Sequence, residues 1–390
     1  MSVTAAKGFL AAGVAAGLKA SGRPDVALVV NEGSGAVAAV FTTNRVQAAP
    51  VVLTMQVVAG GTVRAVVLNS GGANACTGKP GYADAVATAE HVAKAIGCEP
   101  GEVAVASTGL IGTRLPMELL LPGIAAAAAQ LSAAKGAEAA QAIMTTDTVS
   151  KQASVTLDCG VTIGGMAKGA GMLAPALATM LVVVTTDADV SSADLGAALR
   201  PATALTFDRV DVDGCMSTND MVLLMASGAS GLLIQSGGAH WDDFAAGVTT
   251  VCADLARQLA ADAEGASKLI TVEVTGAASE TEALEVARAV ARSALLKCAI
   301  HGEDANWGRV LAAVGTTTAA FDPDQIDVTF NGVLLCQGGV AAGDRVAGAA
   351  ALKPRDVTIT VDLHAGGQAA SVLTSDLTAA YVHENSAYST

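Results

Sequence analysis

Aromatic residues make up only 3% of this 390-residue chain and charged residues only 15%, although 52% of it is hydrophobic. The apolar surplus is therefore Ala, Val and Leu, with 42 Gly beside them. Such small side chains allow close backbone approach and thin layers, so the chain reads as densely packed and not disordered. Cationic charge is also short: 22 Lys+Arg against 36 Asp+Glu leaves a formal charge of −14. That balance excludes nucleic acid and an anionic membrane surface as partners, because either repels it. Long apolar runs are missing. The longest uncharged stretch, 221–241, is interrupted by Gly228, Gly231, Gly237, Gly238 and several serines, and nothing approaches the ~20 residues of a membrane span. Seven cysteines form no C-x-x-C and no regular spacing, which reads most simply as reduced, buried thiols in a cytoplasmic protein. Five histidines show no metal-ligand spacing, so no metal site is expected; no bound cofactor is expected either.

The length suggests two domains or one large two-layer domain. Lys7 followed by the apolar segment 9–18 resembles a short signal peptide, but Lys19 comes directly after it and no A-x-A site follows. The segment is read as the first structural element. Segments 26–30, 36–42, 63–68 and 103–106 are β-rich, the first two separated by a Gly/Ser turn; 82–96 has helical spacing and stops at Gly97; 115–131 is an Ala-rich helix bent at Pro122. Residues 153–163 read as an antiparallel pair around Asp158-Cys159-Gly160, followed by a Gly/Ala loop from Gly164 to Gly171 and a strongly apolar strand, 180–184. Ser279 with Glu282 forms a capping box for a helix reaching about Lys297, and Asn331-Gly332 is a hairpin signal.

Several chemistries are excluded by spacing. There is no H-E-x-x-H, no G-x-x-x-x-G-K-[ST] and no G-x-S-x-G. The G-x-G of the Gly-rich loop follows a hairpin and precedes a strand, where a dinucleotide site needs strand then helix. What remains is the run from Lys168 through Gly171 and Pro175 to Ala178-Thr179. A threonine opening a buried strand is ordinarily β-propensity alone. The alternative is self-cleavage, in which the Thr179 hydroxyl attacks the Ala178 carbonyl and hydrolysis frees a new N-terminal Thr. Its α-amine, with a reference pKa near ~7.7–8.0, is matched to proton transfer at neutral pH.

The chain resembles the ornithine acetyltransferase (glutamate N-acetyltransferase) family of arginine biosynthesis. The resemblance is carried by Gly13–Lys19, Leu68–Cys76, Ser107–Gly112, Met144–Asp147, Lys168–Gly171, Ala178–Leu181, Asp213–Asp220, Ala263–Gly265, Asn306–Arg309 and Glu384–Tyr388. These ten segments run from end to end in the family's order. Ala176-Leu177 departs from the Asn-Met of many relatives. The resemblance implies an αββα-type sandwich with a smaller C-terminal α/β domain. It implies self-cleavage between Ala178 and Thr179 into an α chain (1–178) and a β chain (179–390), and an α2β2 heterotetramer. It implies transfer of acetyl from N2-acetylornithine to glutamate through acetyl-Thr179. Acetyl-CoA enters as a co-substrate if the enzyme is bifunctional and also acts as an N-acetylglutamate synthase; a self-cleaving N-terminal-Thr amidohydrolase or aminopeptidase is the alternative.

By the same resemblance Thr108 and Gly109 form the oxyanion hole, each donor contributing ~3 kcal/mol to a tetrahedral intermediate; the alternative for them is a helix N-cap. Thr145, Lys168, Thr179, Glu264, Asn385 and Thr390 take substrate-binding positions, with Lys168 meeting the α-carboxylate and Glu264 an ammonium group. For Glu264 the alternative is a solvated helix end before Gly265. Asn306 and Arg309 receive no role, and Cys76 is expected to be a packed small residue.

Overall fold

A computed structural model describes residues 2–173 and 180–387. Its first half is built on two sheets. Strands β1 (Phe9–Val14), β2 (Val26–Asn31), β3 (Ala36–Phe41), β4 (Ala65–Ser70) and β5 (Val103–Thr108) open the chain, followed by β6 (Lys151–Thr156), β7 (Thr162–Lys168), β8 (Leu181–Thr186), the short β9 (Asp189–Val190), β10 (Met221–Ala226) and the short β11 (Leu233–Ile234). One sheet has the order β1-β2-β4-β5, the other β3-β10-β8-β7-β6. Helices α1 (Ala49–Ala59), α2 (Gly78–Ile96), α3 (Met117–Ala128), α4 (Gly136–Ala142), α5 (Ser192–Leu205) and α6 (Trp241–Ala261) lie among them.

Strand alternation sorts the side chains into layers. In β5, Ala104 and Ala106 join the core between the sheets, while Val103 and Val105 face α2 and α3. In β8, Leu181 and Val183 enter the same central core, and Val182 and Val184 pack with Leu195 and Leu199 of α5 and Val251 and Leu255 of α6. Strands covered on both faces need continuous apolar runs, which accounts for the Ala/Val composition. The stacking is helix, sheet, sheet, helix, the αββα sandwich expected from the sequence. A smaller C-terminal α/β unit follows. Strands β12 (Leu269–Ala277), β13 (Asp327–Phe330), β14 (Val333–Gln337), β15 (Val340–Ala341), β16 (Asp356–Asp362) and β17 (Gln368–Ser375) form a sheet of order β15-β14-β13-β16-β12-β17. It packs with α7 (Glu280–Ala291), α8 (Ala294–His301) and α9 (Trp307–Val314); α10 (Arg345–Ala351) and α11 (Ala379–Ala387) complete the chain.

The segments 26–30 and 36–42, now β2 and β3, belong to different sheets, and the turn between them carries the chain across the sandwich. There a Cβ on Gly33 would strike the Ser227 carbonyl, so the crossing requires glycine. Three expectations are corrected. The Gly/Ala stretch is not a loop from Gly164, because residues up to Lys168 are β7; a Cβ on Gly164 would meet the Ser2 carbonyl. The helix capped by Ser279 ends at Ala291, and a new cap, Ser293, which accepts from Leu296 N–H, starts α8. The thiols are not uniformly buried: Cys252 and Cys336 are, whereas Cys76, Cys215 and Cys298 are exposed. Cys76 sits at φ 57° on a tight turn and is not packed. The other signals agree with the structure. Gly97 ends α2 at φ 76°, and Asn331-Gly332, with φ 45° and 80°, turns β13 into β14.

Candidate active site

Four pieces of backbone converge on one cleft of about 870 Å³. The first is the C-terminal end of β5. Thr108 is its last residue, and the Thr108 carbonyl accepts from Gly71 and Gly72 N–H at 2.9 and 3.0 Å. Gly109 follows at φ 128°, where a Cβ would lie 2.6 Å from Gly72 N. The tight apposition of these two turns therefore admits only glycine. Thr108 and Gly109 end a strand and cap no helix: α3 begins at Met117.

The second piece is the end of β7. Lys168 is fully buried, and its Nζ donates to Thr108 Oγ1 at 3.0 Å. Burial lowers its pKa, opposed by the carboxylates of Asp147, Asp220 and Glu264 and reinforced by Lys151. In register, Lys168 lies opposite Leu181 of β8. Just before it, Met180 N–H donates to Asp220 Oδ1 at 3.0 Å, and burial raises the Asp220 pKa well above the usual carboxylate range.

The third piece, residues 144–151, is held by a buried ionic network. Asp147 accepts from Lys151 Nζ at 2.6 Å, Gly169 N–H at 2.7 Å and Thr145 N–H at 2.9 Å. Burial alone would raise its pKa, but the charges of Lys168 and Lys151 and these hydrogen bonds hold it at about 2. Lys151 also donates to Asp262 Oδ2 at 2.6 Å, and Asp262 accepts from Thr148 N–H at 3.0 Å. Thr145 thus reaches the cleft on a segment tied both to the Gly169 turn and to the end of α6.

The fourth piece joins the turn after β7 to the C-terminal helix. Glu264 N–H donates to Ala170 O at 2.9 Å, and its carboxylate accepts from Asn385 Nδ2 at 2.9 Å. A Cβ on Gly171 would lie 2.5 Å from Glu264 Oε2, so the glycine leaves the carboxylate its present place.

Thr108, Gly109, Thr145, Lys168, Glu264 and Asn385 therefore all line this cleft. Ala178, Thr179 and Thr390 lie outside the described residues. Asn306, which the sequence left without a role, accepts from Arg309 N–H at the cap of α9. Among the described residues no group of three His, Cys, Asp or Glu is placed to hold a metal. Sequence reasoning missed Lys19, Asp147, Lys151, Asp220 and Asp262. Three of them, Lys19, Asp147 and Asp220, lie inside the segments that carried the resemblance; the Asp147–Lys151 pair forms outside any helix, where spacing gives no sign of it.

In this layered α/β fold a buried lysine aimed at a strand-end hydroxyl, with a glycine turn beside it and a carboxylate in the same cleft, makes a set of donors suited to an oxygen that gains negative charge, as in acyl transfer. The ArgJ family profile matches residues 10–390. The arginine biosynthesis bifunctional protein ArgJ of Streptomyces coelicolor is 62% identical over 390 residues, covering 100% of both chains. A solved chain of the Bacillus halodurans arginine biosynthesis bifunctional protein is 40% identical, covers 53% of this chain and 98% of that one, and has a TM-score of 0.51. An ornithine acetyltransferase from Mycobacterium tuberculosis, solved with ornithine, is 54% identical and covers 46% of this chain and 96% of that one, with a TM-score of 0.44. The chain belongs to the ArgJ family, and with it to the acyltransferases of arginine biosynthesis.

Proposed function

We propose that this enzyme moves the acetyl group of N2-acetyl-L-ornithine to L-glutamate by a ping-pong route through acetyl-Thr179, after self-cleavage at Ala178–Thr179. The observation that carries the reading is the contact of Lys168 Nζ with Thr108 Oγ1 beside Gly109. The Thr179 hydroxyl attacks the acetamide carbonyl and passes its proton to the Thr179 α-amine. The oxygen anion that forms is received by the Thr108 hydroxyl, polarised by Lys168, and by Gly109 N–H. Collapse returns the proton to the departing nitrogen and leaves ornithine and an acetyl ester; the glutamate amine then attacks that ester in the same sense. Glu264, hydrogen-bonded to Asn385, suits the ornithine side-chain ammonium.

Cleavage gives an α chain of 1–178 and a β chain of 179–390. The nearly complete match of the Bacillus halodurans chain to 53% of this one supports such a division, since the proposed β chain is about that share. The two chains assemble as α2β2 in the cytoplasm, with no metal or bound cofactor. Among the described residues, no helix is long and apolar enough to cross a membrane. The relatives' designation as bifunctional favours a second reading on the same site, with acetyl-CoA as an additional donor of the acetyl group. The test is glutamate acetylation with each donor in turn, alongside intact mass of the purified protein. Two chains split at 178/179 and an acetylated β chain are expected. A single uncut chain with full activity overturns the reading, as does acetyl release at the same rate without glutamate.

A further inference from the structure

We infer that Arg23, with Lys19 beside it, forms the anion site that receives the phosphates of a thioester donor at the mouth of the cleft. The inference rests on the second reading above, in which acetyl-CoA also supplies acetyl groups. The two kinds of donor differ in charge and shape. N2-acetylornithine presents an α-carboxylate, which suits Lys168, and a side-chain ammonium, which suits Glu264. An acetyl thioester has neither group near its carbonyl. Its charge is negative and sits on phosphates at the far end of a long uncharged arm. It therefore needs cations that the amino-acid substrates leave unused.

The cleft supplies them. The chain carries 22 Lys+Arg against 36 Asp+Glu, yet the charged side chains lining the cleft are Lys19, Arg23 and Lys168 against Glu264 alone. Its volume of about 870 Å³ is in the upper range of sites that take drug-sized ligands, more than one amino acid fills. Lys19 and Arg23 share one loop, whose base is fixed by a nest of backbone donors. Ala16, Gly17, Leu18 and Lys19 N–H all point at the buried Asp25 carboxylate, at 2.6, 3.1, 2.6 and 3.1 Å. Leu18 lies against Gly71, whose N–H donates to the Thr108 carbonyl, so this base adjoins the oxyanion donors. The loop then turns, with Gly22 N–H donating to Lys19 O at 3.1 Å, and residues 20–23 are exposed. Among the described residues the Arg23 guanidinium has no hydrogen-bond or ion-pair partner. Lys19 Nζ donates to Met144 O at 2.6 Å and Pro24 O at 2.8 Å, which leaves one of its three protons, and it is close enough to Arg23 for the two charges to repel. An arriving phosphate relieves that repulsion, and the planar guanidinium is free to grip it in bidentate fashion. One loop thus spans the two ends of such a donor. In the transfer, the Thr179 oxygen bonds to the thioester carbon, the carbon–sulfur bond breaks, and the thiol leaves with the hydroxyl proton relayed by the α-amine.

The test keeps glutamate as acceptor and compares acetyl-CoA with S-acetylpantetheine, which ends before the phosphates. Wild type is expected to show the lower KM for acetyl-CoA, and added salt narrows the gap, because contacts at an exposed site are screened. In Arg23→Gln the KM for acetyl-CoA rises about fivefold, the scale of one charge-assisted contact at a partly screened site. The KM values for S-acetylpantetheine and N2-acetylornithine stay as in wild type, and Arg23→Lys restores part of the loss. An unchanged KM for acetyl-CoA in Arg23→Gln, or an equal rise with all three donors, overturns the inference. So does a wild type with equal KM for the two thioesters. A wild type that takes acetyl from N2-acetylornithine but from neither thioester refutes the acetyl-CoA reading itself, and the phosphate site falls with it.

Discussion

The Thr108 hydroxyl has two neighbours to satisfy, the Lys168 ammonium and the oxygen of the reacting group. Replacing it by Thr108→Val keeps the shape, removes the donor and strands a buried cation. A fall in kcat of about 10²–10³ with KM little changed is expected, as for loss of one oxyanion donor; steady-state kinetics checks it, and a change confined to KM would contradict the role. Asp147 makes a prediction about stability. Asp147→Asn breaks a buried pair and is expected to cost about 3–5 kcal/mol in denaturant unfolding, because Lys151 and Lys168 lose a counter-charge. Its folded pKa is depressed, so its contribution is complete above the unfolded value of about 3.9 and is lost as pH falls through about 2. Wild type should therefore lose stability between those values more steeply than Asp147→Asn, which urea titrations at stepped pH will show.

At the scale of elements, patterning and punctuation were legible and close approach was not. The apolar runs that became β4, β5 and β8 and the turn signals at Gly97 and Asn331-Gly332 follow from local chemistry alone. The placement of β2 and β3 in different sheets did not follow, since a Gly/Ser turn looks the same whether it closes a hairpin or crosses a sandwich. Gly164 and Gly165 misled for a related reason. Glycine ordinarily weakens a strand, and here it is kept because the Ser2 carbonyl and the α6 side chains Val251 and Leu255 press against β7. Gly164→Ala is accordingly expected to destabilise by about 1–3 kcal/mol through overpacking, measured as a lowered melting temperature with the fold retained. Of the candidate site, Thr108, Gly109, Thr145, Lys168, Glu264 and Asn385 were named from motifs. The charges that hold them were not, since Asp262 lies more than a hundred residues from Lys151 and Thr148 and no local pattern joins them.

At the scale of the molecule, the proposed cut falls inside the most interleaved part of the structure. In the second sheet, β3, β6 and β7 precede position 178, and β8 and β10 follow it. Lys168 to Ile163 is laddered to Leu181 to Thr186, and Phe41 to Ala36 to Met221 to Ala226. Gel filtration of the mature enzyme should show one particle containing both pieces, and a denaturing gel should show two bands; pieces that elute separately would contradict this.

That weave also sets the order of events in the life of the protein. Each half without the other leaves open ladder edges and a bared central core, so neither is expected to fold when expressed from its own gene. The precursor acts as its own mould, and once the halves are pulled apart by denaturant the severed pieces are no longer tethered. Their recovery on dilution then becomes a second-order reaction, falling with concentration where the uncut chain does not.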